Sequence, residues 1–172
     1  MPKPLPKPLI ARLTAILSEA DLAQTLAAFA TERSSAFRLN TIKSSPEEAE
    51  AALEAKCVRF EKVPGIPHAY LVPKADEYGM KGTDLFYGGK IYVQGLSSQI
   101  PAHFLDLKPG IRVLDACAAP GSKTTQIAAL MLNQGEIVAL ENHQVRFEKL
   151  AYNCKLQGAT NVTSQSSSPC PL

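Results

Sequence analysis

The sequence predicts an α/β protein whose main part is an incomplete, Rossmann-like parallel sheet, preceded by a small α+β module. From Ile111 onward, short apolar runs alternate with helical patterns in a β-α-β-α-β order, which specifies a doubly wound parallel sheet. Residues 37–72 instead follow a β-α-β-β order with turn residues between the elements. A doubly wound sheet of the dinucleotide-binding type has about 6 strands. Only three strands are predicted for the parallel sheet here, so the Rossmann-like domain is expected to be incomplete.

Residues 1–34 are predicted to form an arm and two helices. Prolines and lysines alternate at the start, which indicates an extended segment. Apolar residues with helical spacing over 9–17 predict the first helix. Ser18 and Asp21 form a capping pair at the start of the second helix. This second helix is expected to bury Leu22, Leu26 and Phe29.

Residues 35–96 are predicted to form the α+β module. Its first strand is the stretch FRLNTI, in which apolar Phe37 and Leu39 alternate with polar Arg38 and Asn40. Such alternation is typical of a strand with one face on the core and one face toward solvent.

A strong helix start follows that strand. Ser45 offers a capping hydroxyl, Pro46 fits the first turn, and the two acids after it face the positive end of the helix. A helix to about Lys56 is therefore predicted. The other elements expected in the module are strands at 58–63, 69–72 and 91–94 and a glycine-bearing loop at 74–90.

Residues 97–172 are predicted to form the first half of the Rossmann-like domain. The expected elements are a helix at 97–105, strands at 111–114, 136–140 and from 161, and helices at 122–133 and 144–157. Gly135 is expected to end the first of the last two helices as a left-handed cap, and Gly158 is expected to stop the second. The serine- and proline-rich residues 164–172 carry no apolar set to bury, which predicts an irregular tail.

Composition limits the classes of function. The net charge of +2 is close to neutral, so charge alone predicts no nucleic-acid partner. The cysteines and histidines are scattered without the spacing of metal ligands, which predicts no metal site. The proline-broken start lacks the apolar core of a signal peptide, and no apolar run reaches the roughly 18 residues of a membrane span. Unpaired thiols fit a reducing compartment, so a cytoplasmic protein with no membrane partner is expected.

The stretch VLDACAAPGSKTT, residues 113–125, joins an apolar strand to a helix through a tight turn with Pro120 and Gly121. In α/β proteins such a junction binds nucleotide-like ligands, because its backbone and the free amides of the helix come close to the ligand. A phosphate-binding loop is disfavoured, since Cys117 and Ser122 occupy its two glycine positions. A dinucleotide fingerprint is disfavoured as well, since the turn has a single glycine.

S-adenosylmethionine is the third candidate ligand and the favoured one. It carries no pyrophosphate, so the turn needs less glycine, while its amino-acid end still requires close backbone. Glu141 ends the next strand about 20 residues after Gly121, the spacing at which a carboxylate reaches the hydroxyls of an adenosine ribose. Asp115 could orient the turn or meet the ammonium group of the ligand.

The segment DACAAPGSKT, followed by an acid after the next strand, resembles the Sun/Fmu family (RsmB/RsmF-like) of RNA cytosine carbon-5 methyltransferases. FRLNT, IYVQGLSS and ATNV support this resemblance, which runs from Phe37 to about Val162. It implies S-adenosylmethionine as cofactor, ribosomal or transfer RNA as partner and substrate, and a role in rRNA or tRNA processing. By position it implies as cofactor-binding residues Cys117, Ala118, Ala119, Pro120, Gly121, Ser122, Lys123, Glu141 and Arg146. Two positions depart from the family pattern: Gly95 stands where an acid is usual, and Glu141 replaces the commoner aspartate.

The resemblance also implies a cysteine thiolate that attacks carbon-6 of cytosine, and a second cysteine that helps to release the product. Both belong to later motifs, so catalytic residues are expected beyond residue 172. Cys170 follows a proline, as the releasing cysteine does, but it lies too close to the third strand to leave room for a crossover helix. The chain is therefore expected to be an N-terminal fragment with little or no turnover.

Alternatives stay open from the sequence alone. The alternative function is a non-catalytic RNA- or cofactor-binding protein. Lys123 lies in the first turn of a helix, where a cation opposes the helix dipole, and this favours a functional role. RNA contacts are conceivable for four residues that solvent exposure or core packing explains more simply, namely Arg38, Asn40, Tyr87 and Tyr92. The oligomeric state is not predicted.

Overall fold

The computed structural model describes residues 4–166. The chain divides into two compact units, one up to Arg33 and one from Ser34 onward. The first unit contains two helices, α1 (Lys7–Ile16) and α2 (Glu19–Ala30). No helix among the described residues is long and apolar enough to cross a membrane.

The start of α2 is formed as predicted, but the burial of its apolar face is not. Ser18 Oγ accepts a hydrogen bond from Asp21 N at 3.2 Å, which confirms the cap. Leu22 and Leu26 are only half-buried, and 48% of Phe29 is exposed, so the predicted burial is wrong. Two short helices alone give each apolar stripe too little partner surface to exclude water.

The second unit begins with a four-stranded antiparallel sheet. Its strands are β1 (Ser35–Leu39), β2 (Glu61–Lys62), β3 (Ala69–Val72) and β4 (Ile91–Val93), in the spatial order β2-β3-β1-β4. Helix α3 (Pro46–Glu54) follows β1 and buries Leu53 in the same core as Phe37 and Tyr70. The rings of Phe37 and Tyr70 stack with 4.9 Å between their centroids.

The helix start predicted at Ser45 is confirmed. Ser45 Oγ accepts a hydrogen bond from Glu48 N, and the carboxylate of Glu48 accepts one from Ser45 N, each at 3.3 Å. This capping box satisfies two amides that would otherwise lack partners. The helix ends at Glu54, slightly before the predicted end.

Two predictions for this module are wrong. Of the predicted strand 58–63, only β2 pairs with a neighbour. The predicted loop 74–90 instead contains a 3₁₀ turn (Lys74–Asp76) and two short helices, α4 (Glu77–Lys81) and α5 (Asp84–Tyr87). Met80 and Leu85 anchor these helices in the core of the module. Helices of this length show no apolar period, so their formation depends on tertiary burial rather than on a sequence pattern.

The residues after β4 form a parallel sheet and its helices. These elements are α6 (Leu96–His103), β5 (Arg112–Asp115), α7 (Ser122–Leu130), β6 (Glu136–Glu141), α8 (Gln144–Gln157) and β7 (Val162–Ser166). The strand order is β5-β6-β7, with Ile137 paired to Val113 on one side and to Val162 on the other. This arrangement confirms the predicted incomplete, Rossmann-like parallel sheet. Ile127, Met131 and Leu150 pack on Ile137 in its core.

Some boundaries in this part differ from the prediction. Helix α7 ends at Leu130, so Gly135 is not its cap. Gly135 has φ +84°, and a Cβ there would lie 2.2 Å from the carbonyl oxygen of Ile111, so glycine is needed where β6 begins. Residues 164–166 of the predicted irregular tail belong to β7. Cys170 and the rest of that tail lie outside the described residues.

Strand β1 is buried on both faces, which corrects the prediction of a half-exposed strand. Arg38 and Asn40 are 3% and 0% exposed. Asn40 Nδ2 donates to the carbonyl oxygens of Gly89 at 2.8 Å and Gln157 at 2.7 Å. The polar face of β1 therefore joins the α+β module to the parallel-sheet part at the end of α8.

Candidate functional site

The carboxyl ends of β5 and β6 lie side by side at one edge of the parallel sheet. The loop 116–121 follows β5 and turns the chain into α7. Ala118 N donates to the carbonyl oxygen of Leu140 at 3.0 Å, which anchors the loop to the neighbouring strand. The Ala119–Pro120 peptide bond in this loop is cis.

Two carbonyls of the loop are bound from the side of α7. The carbonyl of Ala118 accepts from Gly121 N at 2.7 Å, and the carbonyl of Gly121 accepts from Thr125 Oγ1 at 2.7 Å. Thr125 Oγ1 in turn accepts from Arg38 Nη2 at 3.0 Å, so β1 of the preceding module supports the turn.

The two intervening carbonyls are bound from the side of α8. The carbonyl of Ala119 accepts from Arg146 Nη2 at 2.8 Å, and the carbonyl of Pro120 accepts from Asn153 Nδ2 at 2.7 Å. Every carbonyl from residue 118 to residue 121 is thus held by a donor within the protein. The negative ends of these peptide dipoles are neutralised, so the amides of the turn dominate the field that a ligand meets.

The amides at the start of α7 lack partners. The amides of Ser122, Lys123 and Thr124 donate to no backbone carbonyl among the described residues, and no side chain caps this helix. A helix start of this kind binds anionic or polar groups through its free N–H groups and its positive dipole end. Gly121 has φ +101°, and a Cβ there would lie 3.1 Å from Leu150 Cδ1, so the turn requires glycine.

Glu141 ends β6 with 3% of its surface exposed. Its Oε1 accepts a hydrogen bond from His143 N at 3.0 Å. Its Oε2 lies 3.4 Å from Arg146 Nη2 and accepts no hydrogen bond among the described residues. Because Arg146 also binds the carbonyl of Ala119, it connects the glutamate to the loop. One carboxylate oxygen therefore remains available to the hydroxyl groups of a ligand.

The remaining predicted cofactor-binding residues differ in whether their side chain or only their backbone can face a ligand. Cys117, Pro120 and Lys123 are exposed, and Ser122 is partly exposed. The side chains of Ala118 and Ala119 belong to the core, so only their backbone can face a ligand. Lys123 Nζ donates to Ser98 Oγ at 3.0 Å, which ties the first turn of α7 to α6.

Asp115 orients the turn. Its Oδ2 accepts a hydrogen bond from Thr124 Oγ1 at 2.7 Å. This contact fits the predicted role of Asp115 in orienting the turn.

Sequence reasoning missed the supports supplied by Asn153, Thr125 and Arg38. Asn153 and Thr125 are polar residues inside helical patterns, where solvent exposure is the default expectation. Arg38 lies far along the chain from the loop and carries no local signal of the contact. All three act through hydrogen bonds that only the tertiary fold creates.

Cys154 is a core thiol rather than an activated nucleophile. It is buried, and burial raises its pKa to about 11, so it is protonated at neutral pH. Cys57 and Cys117 are exposed free thiols, and Cys117 lies in the loop itself. Residues 4–166 contain no group of three or more histidine, cysteine, aspartate or glutamate side chains that could hold a metal ion.

The parallel sheet and the loop after its first strand place this part of the chain in the class of Rossmann-like α/β domains. A crystal structure of a methyltransferase homologue from Pyrococcus horikoshii matches with a TM-score of 0.77 and 29% identity, covering 95% of this chain and 57% of that chain. NSun6 from Pyrococcus horikoshii, solved with SFG, matches with a TM-score of 0.80 over 95% of this chain and 65% of that chain. At 19% identity, the latter match shows the fold.

Two family models match the chain in sequence. Residues 5–96 match the N-terminal domain of 16S rRNA methyltransferase RsmF, and residues 102–167 match 16S rRNA methyltransferase RsmB/F. The chain belongs to this RsmB/F family, which confirms the resemblance carried by its motifs.

Curated relatives agree with this assignment. Ribosomal RNA small subunit methyltransferase F of Shewanella amazonensis is 39% identical over 127 residues, which cover 73% of this chain and 27% of that protein. The 25S rRNA (cytosine-C(5))-methyltransferase NSUN5 of Arabidopsis thaliana is 37% identical over 125 residues, which cover 73% of this chain and 22% of that protein. The chain therefore spans about a quarter of the length of the curated relatives that it matches.

Proposed function

We propose that this chain provides the RNA-binding module and the cofactor-binding half of an S-adenosylmethionine-dependent RNA cytosine carbon-5 methyltransferase. The observation that carries the proposal is the loop between β5 and α7, in which the carbonyls of residues 118–121 are held by donors of the protein while the amides that follow are free. A buried carboxylate with one available oxygen stands beside it. The names of the relatives supply the reaction and the class of RNA.

The groups at this site fit S-adenosylmethionine. Its amino-acid end carries a carboxylate, which suits the free amides of Ser122 and Lys123. Its ribose offers two hydroxyl donors, which suit Glu141 Oε2. A pyrophosphate ligand fits less well, because its charges would lie near this carboxylate with no glycine-rich wrap to hold them.

Each predicted site residue then has a proposed role. The backbone from Cys117 to Lys123 holds the cofactor, and Glu141 binds its ribose. Arg146 is a positioning residue, because it holds both the glutamate and the carbonyl of Ala119. The bound cofactor supplies an electrophilic methyl group. The residues of this chain bind it and orient it, and the catalytic cysteines are expected beyond residue 172.

RNA is the proposed partner and substrate. The relatives are named as methyltransferases of ribosomal RNA and, for NSUN6 of Mus musculus, as a tRNA (cytosine(72)-C(5))-methyltransferase, 46% identical over 72 residues. We assign residues 1–34 to an N-terminal arm with helices, 35–96 to the RNA-binding module and 97–172 to the cofactor-binding half. The described cysteines are all free thiols, which supports a reducing, cytoplasmic location.

Calorimetry with S-adenosylhomocysteine tests the cofactor assignment. The chain is expected to bind this ligand and to show no binding of NAD or ATP at the same concentrations. Glu141→Gln is expected to weaken binding at least about tenfold, because a hydrogen bond to a charged group contributes roughly 1.5–3 kcal/mol. The matched control is Glu136→Gln at the opposite end of β6, where the side chain is exposed and pairs with Arg112 at 2.8 Å.

This control variant should bind the ligand as the unmodified chain does. If Glu141→Gln and Glu136→Gln weaken the binding of S-adenosylhomocysteine equally, Glu141 does not bind the ligand. Binding of ATP or NAD in place of S-adenosylhomocysteine would contradict the choice of cofactor and revive the phosphate-binding alternatives.

The second candidate function is a non-catalytic RNA- or cofactor-binding protein, which needs no activated thiol, and Cys154, whose pKa burial raises to about 11, is not one. RNA containing 5-fluorocytidine, incubated with S-adenosylmethionine, is expected to form no covalent adduct with this chain on a denaturing gel. The Shewanella relative serves as the positive control. An adduct that forms with this chain and disappears in Cys117→Ser would show that the chain carries its own nucleophile.

A further inference from the structure

A cavity of about 420 Å³ lies between α5, β4 and α8. Of the residues that form or support the cofactor site, Asn153 alone lines it, and its Nδ2 is bound to the carbonyl oxygen of Pro120. Its volume falls within the range of about 300–1,000 Å³ that is usual for small-ligand sites. The cavity therefore has room for a small ligand other than the cofactor.

Aromatic side chains dominate the lining of this cavity. They are Phe86, Tyr87, Tyr92 and Tyr152. Tyr87 and Tyr152 are 70% and 65% exposed, although large aromatic rings are usually covered. The chain has five tyrosines and no tryptophan, so most of its tyrosines are gathered around this cavity. Exposed, clustered rings of this kind are the surfaces on which unpaired nucleobases stack.

The cavity also borders an unsatisfied hydrogen-bond acceptor. Gln157, one of its lining residues, is 1% exposed. Its Nε2 donates to the carbonyl oxygen of Ile91 at 3.3 Å, but its Oε1 has no partner among the described residues. A buried acceptor without a donor is unfavourable by about 1–3 kcal/mol. A ligand with an N–H donor, such as the exocyclic amine of a base, supplies the missing partner.

The charge of the cavity lining does not oppose a polyanion. Lys81 is the single charged residue in its lining, and it pairs with Glu77 outside the cavity. Lys155 is exposed on α8 one turn after Tyr152. No acidic side chain lines the cavity, so a phosphate backbone can approach without repulsion from its walls.

We infer that this cavity binds one unstacked, amine-bearing base of an RNA strand. Tyr87 and Tyr152 provide the stacking surface, and Gln157 Oε1 accepts from the amine of the base. This inference rests on the proposed RNA substrate, because it assigns to that RNA a contact outside the cofactor site. It gives a function to Tyr87 and Tyr92, for which packing is the simpler explanation from sequence.

Fluorescence anisotropy with a labelled, cytidine-rich, single-stranded RNA of eight nucleotides tests the inference. Tyr152→Ala and Tyr87→Ala are each expected to weaken RNA binding at least about fivefold, since stacking of a base on an aromatic ring is lost. The matched control is Tyr78→Ala, because Tyr78 is 89% exposed and does not line the cavity. Binding of S-adenosylhomocysteine should be equal in all three variants. Ultraviolet irradiation of RNA with 5-iodocytidine should give crosslinks at Tyr87 or Tyr152.

Three results would overturn the cavity as a base-binding site. They are equal effects of Tyr152→Ala and Tyr78→Ala, crosslinks confined to other residues, and no RNA binding by a chain that still binds S-adenosylhomocysteine. The last result leaves the cofactor assignment intact. Failure of the unmodified chain to bind S-adenosylhomocysteine is the separate outcome that contradicts the proposed function.

Discussion

Replacing Gly89 by alanine is expected to lower the free energy of unfolding by about 3 kcal/mol or more. Gly89 has φ +67°, and a Cβ there would lie 2.1 Å from the carbonyl oxygen of Leu156. That neighbour is backbone in the last turn of α8, so it cannot rotate away as a side chain would. The added methyl group must separate the loop after α5 from α8. The left-handed conformation of an alanine adds about 1 kcal/mol of strain.

Urea denaturation followed by circular dichroism measures this effect, and Gly65→Ala is the matched control. Gly65 has φ +79°, but a Cβ there would meet nothing within 4 Å. This control variant therefore carries the backbone strain without the clash and is expected to lose only about 1 kcal/mol. If the two variants lose the same stability, the contact between the module and α8 is looser than the structure shows.

The parallel-sheet part could be predicted from the sequence because its signals are local. Helix α8 begins at Gln144 and ends at Gln157, as predicted, since apolar spacing marks its length and Gly158 stops it with φ +71°. The turn after β5 was recognised by its glycine and its position between a strand and a helix. Both are features that a window of about a dozen residues contains.

The α+β module could be predicted only in part, because its remaining structure depends on distant contacts. Arg38 and Asn40 alternate with apolar residues as a half-exposed strand does, yet both are buried by parts of the chain that follow much later. Helices α4 and α5 are too short to show an apolar period, and the glycines in and around them are typical of a loop. Burial of Met80 and Leu85 decides their structure.

The candidate site shows the same division. The groups proposed to face the ligand carry local signals, so the sequence predicts the motif from Cys117 to Lys123 and the acid at Glu141 as a site. Side-chain donors from α7 and α8 hold the loop carbonyls, Arg38 of β1 binds Thr125 behind them, and the fold alone brings these groups together. Local motifs therefore predict the ligand of the site. The residues that hold the loop in place are known only once the packing of the helices is known.

Asn40→Ala is expected to lower the free energy of unfolding by about 3–5 kcal/mol. Asn40 is fully buried and donates to the carbonyls of Gly89 and Gln157, while its Oδ1 accepts from Ile42 N at 3.2 Å. Alanine leaves the two buried carbonyls and the partly buried amide of Ile42 without partners, and each buried unsatisfied group is unfavourable by about 1–3 kcal/mol. The matched control is Asn142→Ala at an exposed position directly after β6, expected to change stability by less than about 0.5 kcal/mol.

The pH dependence of the stability of Asn40→Asp shows whether the loss of stability at this position comes from lost hydrogen bonds or from a change in packing. The introduced carboxyl group has the size of the amide, but only its protonated form has an O–H, which can donate to one of the carbonyls of Gly89 and Gln157. Burial beside two carbonyl oxygens raises the pKa of that carboxyl group in the folded state above its unfolded value of about 3.9. The folded variant then retains a proton that the unfolded chain releases, so its stability relative to the unmodified chain falls as the pH rises from about 4 toward neutrality. Urea denaturation at a series of pH values measures this slope. A deficit that is equal at pH 4 and pH 8 would mean that the two amide hydrogen bonds do not hold the module against α8.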